Sequence, residues 1–148
     1  MSQEKSTQFK KREQTNHLIE ELLEERTQVW SLYCCVAGVE PYQSKKSTEE
    51  QVQEFCQMLV DYISLGHFGV YQRIIDGSER RKSIIEAAER IYPQILKATE
   101  VVLGFNEKYQ ALTSTIPVNQ LEDDLSVLGE QLATRIELED ELISKMLV

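Results

Sequence analysis

Glycine and proline are scarce in this chain, six and three among 148 residues, so there are few places where a helix must stop or a tight turn can form. No stretch alternates apolar and polar residues in the manner of a half-buried strand. With both signals missing, the expected class is all-α. No apolar run approaches the roughly 20 residues that span a bilayer. The N-terminal "MSQEKSTQFKKR" lacks the hydrophobic core of a secretory signal, and residues 1–14 read as a basic, mobile arm. The three cysteines, Cys34, Cys35 and Cys56, form no CxxC pair and sit in apolar runs, where thiols act as small hydrophobes. These absences together predict a reducing, cytoplasmic setting.

Other absences concern chemistry. No nucleophile stands beside a histidine with a third orienting group, and there is no glycine-rich phosphate cradle and no HExxH, so no enzyme is expected. Histidine occurs only at positions 17 and 67, and neither belongs to the Glu-x-x-His unit of bundle metal sites. No metal or other cofactor is expected. Basic residues are outnumbered 25 to 16, for a net charge of −9. That balance argues against direct nucleic-acid binding, which draws its affinity from Lys and Arg, and favours a basic protein surface as partner.

What is present is a globular balance, 41% hydrophobic and 28% charged, in a length that supports one core and one domain over residues 1–148. A first helix is predicted from about Thr15 to Ala37, with Leu18, Leu22, Val29, Trp30, Tyr33 and Val36 on one stripe, stopped by Gly38 and Pro41. Ser47 or Thr48 caps a second helix running to about Ile75. A third starts at a cap at Ser78 and runs to about Tyr109, with Pro93 expected to kink or split it. The "TSTIPVNQ" connection leads to a final helix whose stripe is Val118, Leu121, Leu125, Leu128, Leu132, Arg135, Glu139, Leu142 and Met146. Four long amphipathic helices with short connections predict an antiparallel up-down four-helix bundle.

Two features break the pattern. Charges occupy stripe positions: Arg135 and Glu139 on the last helix, one turn apart, and Arg26 on the first, while His67 shares the face of Ile63, Val70 and Ile74. These four predict a buried polar network in which the arginines meet carboxylates such as Glu137, Glu139 or Glu20. Removing one partner of such a network strands a charge, at roughly 3–5 kcal/mol. The polar side of the second helix, in turn, carries Asp61 and Phe68 seven residues apart, with Met58 and Leu65 at its edge. Either a partner helix or another part of the chain covers that side. Gly66 and Gly69 flank the same place and imply a close backbone approach or a bend.

The segment "EFCQMLVDYISLGHFGVYQRII" resembles the central motif of the Rsd/AlgQ family of bacterial sigma-factor regulators, over FC-x-x-LVDY-x-S-x-GHF-x-x-Y. "HLIEELLEER", "IYPQI" and "RIELEDELI" extend the resemblance over nearly the whole chain. It implies a non-enzymatic anti-sigma factor, an α-helical bundle that binds region 4 of the primary sigma factor. Binding there would block contacts with core polymerase and with the −35 promoter element. It places Asp61 and Phe68 in the sigma-facing motif with Leu18, Leu22 and Leu65 as apolar neighbours, and Arg26, His67, Arg135 and Glu139 in a polar interior. The partner implied is one sigma molecule per monomer. The chain departs from the family at Leu22, where its best-known member has tryptophan, and in lacking a longer tail after Ile143. A hemerythrin-like metal-binding bundle, right in form and wrong in ligand set, is the alternative from another class, and a helical adaptor for some other basic protein is a third.

Overall fold

A computed structural model of the chain describes residues 2–38, 47–75, 77, 79–110 and 117–147. Its elements are helices α1 (Ser2–Ala37), α2 (Thr48–Ser64), a π-helical stretch (Leu65–Tyr71), α3 (Gln72–Ile75), α4 (Lys82–Gln110) and α5 (Val118–Met146). The α2, π and α3 segments follow one another without a gap, so the described residues form four rods and no strand. None of these helices is long and apolar enough to cross a membrane.

Each boundary has a local cause. Helix α1 starts at Ser2, well before the predicted Thr15. Residues 2–14 are rich in Glu, Gln, Lys and Arg and contain no Gly or Pro, so nothing in them stops a helix from propagating. At its other end Gly38 adopts φ +73°, and its N–H reaches back to Cys35 O at 3.1 Å. Only glycine takes that conformation without strain. Ser47 caps α2, its side chain accepting from the Glu50 N–H at 3.2 Å, with Glu49 and Glu50 in the first turn. Pro41, the cap at Ser78 and residues 113–116 of the last connection lie outside the described residues.

Pro93 lies inside α4 and does not split it. Pro93 and Glu89, whose carbonyl loses its intrahelical donor, are both exposed, so that carbonyl is open to solvent and the lost bond is tolerated.

The rods pack in a ring, α1 on α2, α2 on α4, α4 on α5 and α5 on α1. Arg26 of α1 reaches Glu139 of α5 while Tyr33 reaches the Leu125 carbonyl, so numbers rise on one rod as they fall on the other. The same opposed sense holds for Phe55 on Phe105 and His67 beside Tyr92, and for Lys108 on Asp124 and Arg90 on Glu141. Inside the ring lie Leu22, Val29, Phe55, Leu59, Ile84, Ile91, Leu128 and Leu132, each worth roughly 1.5–3 kcal/mol as buried apolar surface.

Candidate interaction surface and its buried support

Arg135 is 1% exposed and Glu139 fully buried, on the stripe of α5 where the period puts them. Glu139 is satisfied from two other rods. Its Oε1 accepts the Tyr62 hydroxyl at 2.8 Å and Arg26 Nη1 at 3.4 Å, and its Oε2 accepts the Tyr71 hydroxyl at 2.9 Å. Burial first, then the charge of Glu139, holds both phenols far above their ordinary pKa, so they stay protonated donors. Arg26 also donates to Asp140 at 2.7 Å. Asp140 takes the part that Glu137 and Glu20 were expected to share; both of those are exposed.

Arg135 sits behind this carboxylate, its Nε 3.8 Å from Glu139 Oε2, and donates through Nη1 to the Thr99 hydroxyl of α4. Its guanidinium lies 5.3 Å from the Tyr62 ring centre and 5.8 Å from that of Tyr71, within reach of both π faces. Its Nε makes no hydrogen bond.

The π-helical stretch explains the two glycines. Gly66 is buried, and a Cβ there would lie 3.1 Å from Arg135 Nη2, 3.4 Å from the Tyr71 ring and 3.6 Å from Leu22. The guanidinium needs that space. The Gln72 N–H bonds to the His67 carbonyl, five residues back, and this wider turn advances each residue through a smaller angle than an α-helix does. Wheel positions read as α-helical therefore drift after Ser64, yet Val70 and Ile74 stay buried on the face predicted for them, and His67 alone of that face does not. It does not join Glu139. Half-buried instead, it places Nδ1 3.4 Å from the Tyr92 hydroxyl and its ring edge-on to Phe68 at 4.8 Å.

On the outer side, Phe68 is 69% exposed, the most exposed large apolar residue among the described residues. Asp61 is exposed too and accepts from Gln57 Nε2 at 3.1 Å, one turn back on the same helix. Leu18 and Leu65 are half-buried around Gly69, where a Cβ would be 3.2 Å from Leu65 and 3.5 Å from Leu18. Four of the five residues assigned to partner contact thus have exposed surface. Leu22 does not: it is fully buried, turned into the core between α1 and the π-helical stretch. It supports the surface from below.

One residue of this surface has no sequence signal. Glu25 of α1 has a carboxylate oxygen, Oε2, that is buried and without a hydrogen bond. Burial, then the charges of Asp61, Glu21 and Glu24, pushes its pKa above the ordinary value. Helical spacing within α1 reveals only the neighbouring Glu21 and Glu24. The approach of Asp61 comes from the packing of α1 on α2.

Among the described residues, no three His, Cys, Asp or Glu side chains gather in a way that could hold a metal ion. The profile of one protein family, described as "Regulator of RNA polymerase sigma(70) subunit, Rsd/AlgQ", matches residues 1–147. A "Regulator of sigma D" from Yersinia enterocolitica is 34% identical over 133 residues, 87% of this chain and 80% of the relative. Proteins of the same description from Yersinia pseudotuberculosis and an Enterobacter species are each 33% identical over 135 residues, covering 87% and 88% of this chain and 79% and 80% of theirs. No solved structure matches the chain.

Proposed function

We propose that this chain, which belongs to the Rsd/AlgQ family of regulators of the RNA polymerase sigma(70) subunit, acts by binding region 4 of the primary sigma factor through the outer face of α2 and the π-helical stretch. The exposed Phe68 carries this reading. A large aromatic left in water, on the same rod as the exposed Asp61 and the half-buried Leu65, is the composition of an interface anchor. The net charge of −9 suits a basic, DNA-binding partner surface and allows competition with DNA for it.

In this reading Phe68 enters an apolar pocket of the partner and Asp61 meets a basic side chain. Leu18 and Leu65 exclude water from the contact, and Glu25 adds a second carboxylate beside Asp61. One monomer sequesters one sigma molecule in the cytoplasm, closing its routes to core polymerase and to the −35 element. No catalytic step is involved.

Titration of isolated sigma region 4 with the full chain tests this. Phe68→Ala and Asp61→Ala should each weaken binding by about tenfold or more, with far-UV circular dichroism unchanged. Added salt should reduce affinity mainly through a slower association rate. Full affinity in both variants would refute the assigned face, and absence of binding by the unaltered chain would refute the partner.

A further inference from the structure

A cleft of about 270 Å³ opens between the π-helical stretch and α4, and its lining runs from exposed apolar residues down to a buried cation. Phe68, Leu96 and Leu103 stand at its rim, all exposed to solvent. His67 and Tyr92 form a polar wall, and Thr99 and Arg135 lie at its foot.

The charge at the foot is only partly used. Glu139, the carboxylate behind Arg135, already accepts from Tyr62, Tyr71 and Arg26. It approaches the Arg135 Nε no closer than 3.8 Å, and that buried nitrogen has no hydrogen-bond partner. A guanidinium has five donors, and leaving a buried one unmade is unfavourable. We infer that the cleft is a binding site for a small organic carboxylate, whose acid group pairs with Arg135, the Thr99 hydroxyl being already committed to the Ile95 carbonyl, and whose short apolar body lies against the rim.

Size and polarity both select this class. Drug-sized pockets occupy roughly 300–1,000 Å³, so this cleft takes a smaller molecule, such as a single ring with a carboxylate. Inorganic anions would leave the apolar rim uncovered, and neutral apolar molecules would leave the guanidinium as it is. The site does not depend on the sigma-binding reading, since only residues of this chain form it.

The test is a heteronuclear NMR titration of the full chain with sodium benzoate, and with benzyl alcohol as the uncharged counterpart. Benzoate should give saturable shifts in the amides of residues 64–71 and 92–103. Benzyl alcohol should bind about tenfold or more weakly, as expected for loss of a charged hydrogen bond. Leu96→Glu, at an exposed position where folding is unaffected, should abolish benzoate binding by placing a like charge at the mouth. Shifts that do not saturate or are scattered over the bundle, equal binding of the alcohol, or undiminished binding by Leu96→Glu would each overturn the inference.

Discussion

Gly66 of the π-helical stretch and Arg135 of α5 are fitted to one another: a Cβ on Gly66 would stand 3.1 Å from Arg135 Nη2. Arg135 cannot readily yield, because Thr99, Glu139 and the rings of Tyr62 and Tyr71 surround its guanidinium. Gly66→Ala should therefore destabilise the fold by about 1–3 kcal/mol, the usual range for overpacking. At Gly69 the nearest neighbour is the tip of a half-buried leucine, and alanine should be tolerated better. Urea denaturation of the two variants compares them directly.

The buried carboxylate gives a graded series. Tyr71→Phe removes one hydroxyl donor from Glu139 and should cost roughly 1.5–3 kcal/mol, as for a hydrogen bond to a charged group. Arg135→Ala removes the buried cation and leaves a cavity, and should cost more, roughly 3–5 kcal/mol. An unchanged melting temperature in Arg135→Ala would contradict a structural role for the network.

Glu25 predicts a pH dependence with a definite sign. Its folded-state pKa is raised above the ordinary 4.5 by burial and then by Asp61, Glu21 and Glu24. The native state thus holds this proton more tightly than the unfolded chain does. The associated stability is fully present below the unfolded pKa and is lost as pH rises through the folded one. Glu25→Gln should be more stable than the parent at pH 7 and no more stable at pH 4, by urea titration at the two values. If Glu25 serves the partner as proposed, the same variant binds region 4 more weakly, trading affinity for stability.

Two helical glycines should respond in opposite directions. A Cβ at Gly104 meets nothing within 4 Å, so Gly104→Ala should stabilise by about 0.5–1 kcal/mol through helix propensity. A Cβ at Gly129 collides with the hydroxyl of Tyr33, which donates to the Leu125 carbonyl at 2.8 Å. Gly129→Ala should destabilise by about 1–2 kcal/mol once overpacking is set against propensity. Thermal melts of the pair report both signs.

Cys56 should be chemically silent. It is fully buried, and burial pushes its thiol up to about 12, leaving almost no thiolate to react. Alkylation by iodoacetamide at pH 8, followed by mass spectrometry, should modify the half-buried Cys34 and Cys35 first. Cys56 should follow only after urea is added. Rapid labelling of Cys56 in the native protein would show that the core opens more often than its packing implies.

Much of the fold was legible in the chain because helical order is local. Scarce Gly and Pro, the cap at Ser47 and the apolar period are written in neighbouring residues. The same period correctly put Arg135 and Glu139 inside, since a stripe position is buried whatever residue fills it. The start of α1 was misjudged because lack of an apolar face was taken for lack of a helix, although the residues there are good helix formers. Pro93 failed to break α4 because its side of the rod faces solvent.

The candidate site was legible in part. Asp61 and Phe68 have the exposure expected of them, but Leu22, on the same stripe as Leu18, turned inward. His67 stands beside Tyr92 of α4 and does not join the interior network. The burial of Leu22 follows from its place on the α1 stripe and corrects only what the resemblance implied; the place of His67 cannot be read from an α-helical wheel.

By itself the sequence determined four helical rods and the fact that charge enters the core, because both follow from spacing along one helix. Only the tertiary structure decided how that charge is matched. Arg26 and Glu139 stand 113 positions apart, and Tyr62, Tyr71 and Thr99 come from other rods again. Their meeting, the crowding of Glu25 by Asp61, and the cleft above Arg135 depend on how the rods are set against one another, a relation that no local pattern encodes.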